Sequence, residues 1–150
     1  MTRVGLVSDT HNLLRPEVLD FLRGADLILH AGDICGPQVL EALARLAPLR
    51  AVRGNNDRGA WAEPLPHAET VQVEQARIHV VHDIADLDLA AAGAVQAVVY
   101  GHSHKPRVDD RGGVLHVNPG SAGPRRFKLP VAAGELRVDG RQVSARVVTF

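Results

Sequence analysis

Seven residues of this chain carry side chains that bind metal ions and stand just past the ends of apolar runs: Asp9, His11, Asp33, Asn55, His82, His102 and His104. The set mixes carboxylate, imidazole and one amide oxygen. Such donors suit Mn, Fe, Co, Ni or Zn better than a thiolate-preferring ion, and they are too rich in histidine for Ca or a simple Mg site. Seven donors are too many for one tetrahedral ion and about right for two ions sharing a carboxylate, with Asp33 as the natural bridge. Two divalent ions roughly 3.5 to 4 Å apart can hold a bridging hydroxide as nucleophile and clamp the attacking and leaving oxygens of a phosphoryl group. Three of the seven follow glycine directly, at Gly32, Gly54 and Gly101, where a missing Cβ lets the chain fold closely over a small ion.

The elements that must position these residues are legible in the apolar spacing. Val4 to Val7 reads as a buried strand that delivers Asp9 and His11. Pro16 opens a helix with Val18, Phe21 and Leu22 on one face, and Gly24 stops it. Leu27 to His30 is a second strand leading to Asp33. Pro37 restarts a helix with Val39, Leu40, Leu43, Ala44 and Leu46, and Leu49 to Val52 is a third strand leading to Asn55. This alternation predicts right-handed crossovers and a parallel sheet, whose strand ends bring their loops to one crevice.

The second half changes character. An irregular stretch from Arg58 to Glu69 reads as a loop near the site, and Thr70 to Val73 and Ile78 to His82 read as short strands. Asp86 is the expected cap of a helix ended by Gly93, and Ala97 to Tyr100 a buried strand reaching His102 and His104. Asp110 to Gly113 reads as a turn before a strand from Val114 to Val117. Asp139-Gly140 joins Val131 to Val138 and Gln142 to Val148 as a hairpin. A second, more antiparallel sheet packed beside the first is expected to take up this half. At 150 residues the whole chain, 1–150, is expected to form one domain.

In order and spacing, Asp9-x-His11, Gly32-Asp33, Gly54-Asn55-x-Asp57, His82 and Gly101-His102-x-His104 resemble the motif set of the calcineurin-like metallophosphoesterases. Asn118-Pro119-Gly120-Ser121 is similar to a turn of the small bacterial and archaeal phosphodiesterase branch. The resemblance implies an α/β fold, a four-layer α-β-β-α sandwich of two mixed sheets, with the metal site at the carboxyl ends of the strands. It implies a two-metal phosphoester hydrolase, with Mn the first expectation among Mn, Fe, Ni, Co and Zn. One ion would take Asp9, His11, Asp33 and His104, the other Asp33, Asn55, His82 and His102. The residues nearest the chemistry would be Asp33, Asn55, Asn56 and His102, with Asp57 supporting the loop or a ligand rather than binding metal.

Two positions depart from the pattern. Many phosphomonoesterases of the family place a histidine after the Asn ligand, thought to protonate the leaving oxygen, and here that position is Asn56. An amide is no general acid near neutral pH, and small family members with diesterase activity vary at this position, so the resemblance favours phosphodiesters over phosphomonoesters. At His82-Asp83, relatives usually carry His-Gly.

Composition narrows the partners. With 17 basic and 17 acidic residues the net charge is zero, so no global field draws the chain to nucleic acid or an anionic membrane, and a small phosphoester is the expected substrate. One cysteine, Cys35, a first run too soon interrupted for a signal peptide, and no membrane-length apolar run together make the cytoplasm the expected location. A homo-oligomer fits the resemblance, although no stretch marks an interface. The alternatives are a nucleotide or dinucleoside polyphosphate hydrolase and a non-catalytic scaffold of the same fold. His30, His67, His79 and His116 read as ordinary strand or loop histidines, with support of the site from beside Asp33 as the less favoured alternative for His30.

Overall fold

The computed structural model describes residues 1–150. In chain order the elements are β1 (Thr2–Val7), α1 (Pro16–Leu22), β2 (Leu27–His30), α2 (Pro37–Ala44), β3 (Leu49–Ala51), β4 (Ala68–Val73) and β5 (Ala76–Val81). A 3-10 turn (Ile84–Asp86), α3 (Leu89–Ala92), β6 (Ala97–Val99), β7 (Arg107–Arg111), β8 (Val114–Asn118), β9 (Ala132–Asp139) and β10 (Gln142–Thr149) complete the chain.

Two five-stranded mixed sheets face one another, in the orders β10-β9-β1-β2-β3 and β4-β5-β6-β8-β7. The first has β1, β2 and β3 parallel, and the second has β5, β6 and β8 parallel. Central strands are apolar on both faces because both are covered. In β1, Val4 and Leu6 enter the core between the sheets, while Val7 turns to the layer beneath α1 and α2. In β6, Ala97 and Val99 face the inter-sheet core and Val98 faces the side covered by α3. The four-layer order of the expected α/β sandwich is therefore present, with a thin outer layer on the second sheet.

Three details differ from the sequence-based expectation. The hairpin β9–β10 does not join the second sheet. It adds to the free edge of β1, antiparallel, with Leu6 opposite Gly134, a long-range pairing that local spacing does not encode. Arg107–Arg111 is not a lead-in to a turn but an edge strand antiparallel to β8. Its charges suit an edge exposed to water. The helix after β5 is capped by Asp88, whose carboxylate accepts from the Ala91 N–H at 3.1 Å, and Asp86 instead closes the preceding 3-10 turn. No helix is long and apolar enough to cross a membrane.

Candidate metal centre

The loops that leave β1, β2, β3, β5 and β6 converge. Their backbones are unusual: Asp9, His11, Asp33, His102 and His104 all sit at positive φ, between 45° and 71°. Such conformations cost non-glycine residues energy and recur where a site over-determines the chain. Glycine supplies the close approaches. A Cβ on Gly54 would lie 2.2 Å from the Asp33 backbone nitrogen, and one on Gly101 would lie 2.1 Å from Ser8 Oγ.

Asp9 is fully buried. Its Oδ2 accepts from Ser8 Oγ at 2.8 Å and from the His102 N–H at 3.1 Å. Its Oδ1 has no hydrogen-bond partner, and the same holds for His11 Nε2 and His104 Nδ1. Buried polar atoms without partners each cost about 1–3 kcal/mol, so three in one place need an explanation. Oδ1 of Asp9 lies 3.4 Å from His104 Nε2 and 3.9 Å from His11 Nε2. Donor atoms of Asp9, His11 and His104 lie within 4.8 Å of one another. Ligands on opposite sides of one ion stand about 4 Å apart, so a shared cation fits this spacing and would satisfy the lone pairs of Asp9 Oδ1 and His11 Nε2.

A second group joins Asp9, Asp33 and His82 within the same limit. His82 Nε2 lies 3.4 Å from Asp33 Oδ2 and 2.9 Å from Asn55 Oδ1. Its Nδ1 lies 2.7 Å from the Ala31 carbonyl oxygen, which assigns a proton to that nitrogen and aims Nε2 into the site. Burial works against a charged His82, but contact with Asp33 outweighs it and raises the pKa. The field that attracts this proton also attracts a cation. Burial likewise opposes ionisation of Asp33, yet His82 and the Asn56 N–H hold its carboxyl well below the usual range. His11 Nε2 lies 3.6 Å from Asp33 Oδ2, so this carboxylate stands between the two histidines.

His102 belongs to neither close group. Its side chain is about half exposed at the rim, with Nε2 3.7 Å from Asp83 Oδ2 and its ring edge-on to His82 at 5.2 Å. Asp83 has a second role, because Oδ1 accepts the Ala85 N–H and caps the 3-10 turn. Asn56 grips Asp33 with both of its donors, the backbone N–H to Oδ1 and Nδ2 to Oδ2, each at 2.9 Å.

Beneath the site are residues that hold its loops. Asp57 accepts four backbone N–H groups: Ile34 and Cys35 at Oδ1, Asp33 and Gly54 at Oδ2. His30, read from sequence as an ordinary strand residue, is a brace. Its Nδ1 accepts the Gly32 N–H, so Nε2 donates to Thr10 Oγ1 at 3.0 Å, and Thr10 donates onward to the Ile34 carbonyl. Complete burial pushes its pKa down to about 3, which keeps it neutral. Asn118 donates to the Gly101 carbonyl and to Ser103 Oγ, steadying the loop of His102 and His104. Ser121 Oγ lies 3.1 Å from the Asp9 carbonyl. The turn Asn118-Pro119-Gly120-Ser121 signalled these two braces only as a motif. Cys35 Sγ touches His11 Nδ1 at 3.6 Å, and burial pushes the thiol up to about 11, which disfavours the thiolate. His79 and His116 bond within their own sheet, to Thr70 Oγ1 and the Val114 carbonyl.

Above the site opens a cavity of about 370 Å³ whose walls include His11, Asp33, Asn56 and His102 and no hydrophobic residue. Two further walls, Arg125 and Arg126, carry no sequence signal beyond their position just after the Asn118–Ser121 turn.

Residues 2–140 match the calcineurin-like phosphoesterase superfamily domain. The chain belongs to that superfamily. A probable metallophosphoesterase of Methanothermobacter thermautotrophicus is 33% identical over 97% of this chain and 91% of its own. The phosphodiesterase YfcE of Escherichia coli is 29% identical over 97% of this chain and 92% of its own. The solved YfcE structure superposes with a TM-score of 0.71 over 90% of this chain and 88% of that one, at 28% identity. Vps29 of Chaetomium thermophilum shares the fold, with a TM-score of 0.80 over 100% of this chain and 98% of its own, at 20% identity. Members of the superfamily use divalent metals, and the two close groups are candidate ligand sets for such ions in this chain.

Proposed function

We propose that the protein is a two-metal phosphoester hydrolase that acts on phosphodiesters, with Asp9, His11, Asp33, Asn55, His82, His102 and His104 as ligands and Mn the first candidate metal. The observation that carries this reading is the convergence of buried donors around atoms that have no hydrogen-bond partner, Asp9 Oδ1 and His11 Nε2 among them. Bound divalent ions supply Lewis acidity toward phosphoryl oxygens and lower the pKa of attacking water. The chain does the rest. Asp33, kept ionised, lies near both His11 and His82. Asp9 takes part in both groups, so it joins Asp33 in spanning the two positions.

Preference for diesters rests on Asn56. Its amide carries no proton it can release near neutral pH, and its hydrogen bonds go to Asp33. Nothing at this position protonates a poor leaving oxygen, which favours substrates whose leaving group departs without help. Relatives named phosphodiesterase agree with this choice. The test is hydrolysis by Mn-reconstituted protein of bis(p-nitrophenyl) phosphate against p-nitrophenyl phosphate. The diester is expected to react faster, and Asp33→Ala to lose on the order of a hundredfold or more of that rate. Equal rates for the wild type and Asp33→Ala would sink the assignment. Stoichiometric metal with no turnover of either ester would favour the scaffold reading.

A further inference from the structure

The cavity over the candidate metal centre is small. At about 370 Å³ it lies near the lower end of ligand pockets, which run from about 300 to 1,000 Å³. It can enclose a phosphoryl group and its first substituents, and the rest of a substrate extends either into the adjoining cavity lined by Asn55, His82, Asp83 and His102 or over the opposite rim. The opposite wall is formed by Pro124, Arg125 and Arg126, and the chain runs on from there through Phe127 to Leu129. Arg125 and Arg126 line the cavity, and no carboxylate pairs with either, the arginine ion pairs of the chain lying elsewhere.

Two contacts anchor the start of this segment beside His11. Arg15 donates to the Gly123 carbonyl at 2.9 Å, and Gly123 packs so closely that a Cβ there would come within 2.0 Å of the Thr10 carbonyl oxygen. The Leu129 N–H then donates to the Arg126 carbonyl at 3.0 Å, closing a four-residue turn with Phe127 and Lys128 at its corners. Phe127 has φ 54° and is 91% exposed, more than any other large hydrophobic residue of the chain. An aromatic ring held in water by a strained backbone gains nothing from the fold itself.

We propose, building on the phosphoester reading, that Phe127 and the two arginines before it form a nucleoside subsite: the base stacks on Phe127 while Arg125 and Arg126 hold the anionic side of the phosphate. Stacking on an aromatic ring beside cationic groups is how proteins bind bases without reading their edges. Guanidinium groups match phosphate oxygens in pairs. With a net charge of zero the chain has no global field for a polynucleotide, so the subsite takes a single nucleoside. The phosphodiester is therefore one with a nucleoside on at least one side.

Calorimetric titration of the Mn-loaded protein tests this without turnover, so its outcome is separate from that of the hydrolysis assay. The probes are adenosine 5′-phosphate and inorganic phosphate. Phe127→Ala is expected to raise the Kd for adenosine 5′-phosphate about tenfold, the scale of one base–aromatic stack, while the Kd for phosphate moves less than about twofold. Phe127→Trp restores nucleotide affinity, which a purely structural role would not predict. Arg126→Gln weakens both anions. Wild-type protein that binds the nucleotide no tighter than phosphate overturns the subsite. So does a Phe127→Ala protein that weakens both probes equally, or one that changes only the oligomeric state.

Discussion

Among single residues, the most consequential one outside the candidate ligands is Asp57. One buried carboxylate satisfies four N–H groups from two separate loops. Charge-assisted hydrogen bonds are worth about 1.5–3 kcal/mol each, and stranding their donors costs more than the bonds themselves. Asp57→Ala should therefore destabilise the fold by about 3 kcal/mol or more and reduce metal content, both measurable by urea unfolding and elemental analysis. Asp57→Asn should be little better. Its amide presents N–H groups to backbone N–H groups that need an acceptor. Of this site, the ligand-type residues could be read from sequence because each stands just past an apolar run. The braces are legible only in part: Asp57 and the Asn118–Ser121 turn stand out as motif residues, but the hydrogen bonds by which His30, Asn118 and Ser121 hold distant loops are announced by no local pattern.

The elements divide in the same way. Strands buried on both faces, β1 and β6 above all, announce themselves through continuous apolar runs. β7 has four charged residues in five and reads as a turn until β8 is placed beside it. The sheet to which the hairpin β9–β10 belongs depends on pairing with β1, more than a hundred residues earlier. That pairing carries a pH dependence. Glu135 of β9 is buried, which pushes its pKa up, but Arg3 of β1 and Arg146 of β10 outweigh burial and hold it at about 2. A carboxylate with a depressed folded-state pKa stabilises above its unfolded value, here near 4.5, and loses that contribution as pH falls toward the folded value. Urea midpoints should fall between about pH 5 and about 2.5 in the wild type. In Glu135→Gln the fall over that window should be shallower.

Seen whole, the molecule places its candidate metal groups where loops from both sheets meet, Asp9 and Asp33 from one and His82 and His104 from the other. Metal bound there ties the sheets together. An ion at about 100 times its Kd adds about 2.7 kcal/mol to the folded state. For a chain of this size that raises Tm by roughly 5–10 °C. Scanning calorimetry with Mn against a chelator should show this rise, and Asp33→Ala should abolish most of it. No shift in the wild type would contradict the ligand assignment.

The positive φ angles at Asp9, His11, Asp33, His102 and His104 have a consequence for how this fold can change over generations. Each is a conformation that a residue chosen for stability alone would avoid, and the orphaned buried atoms add to the burden. Drift that erases the ligands therefore need not unravel the sandwich, and at some positions it would relax it. A chain of this architecture can shed its chemistry and survive as a stable platform, whereas regaining the site demands several individually unfavourable replacements at once. Loss of activity in such a lineage is a downhill path, and recovery is not.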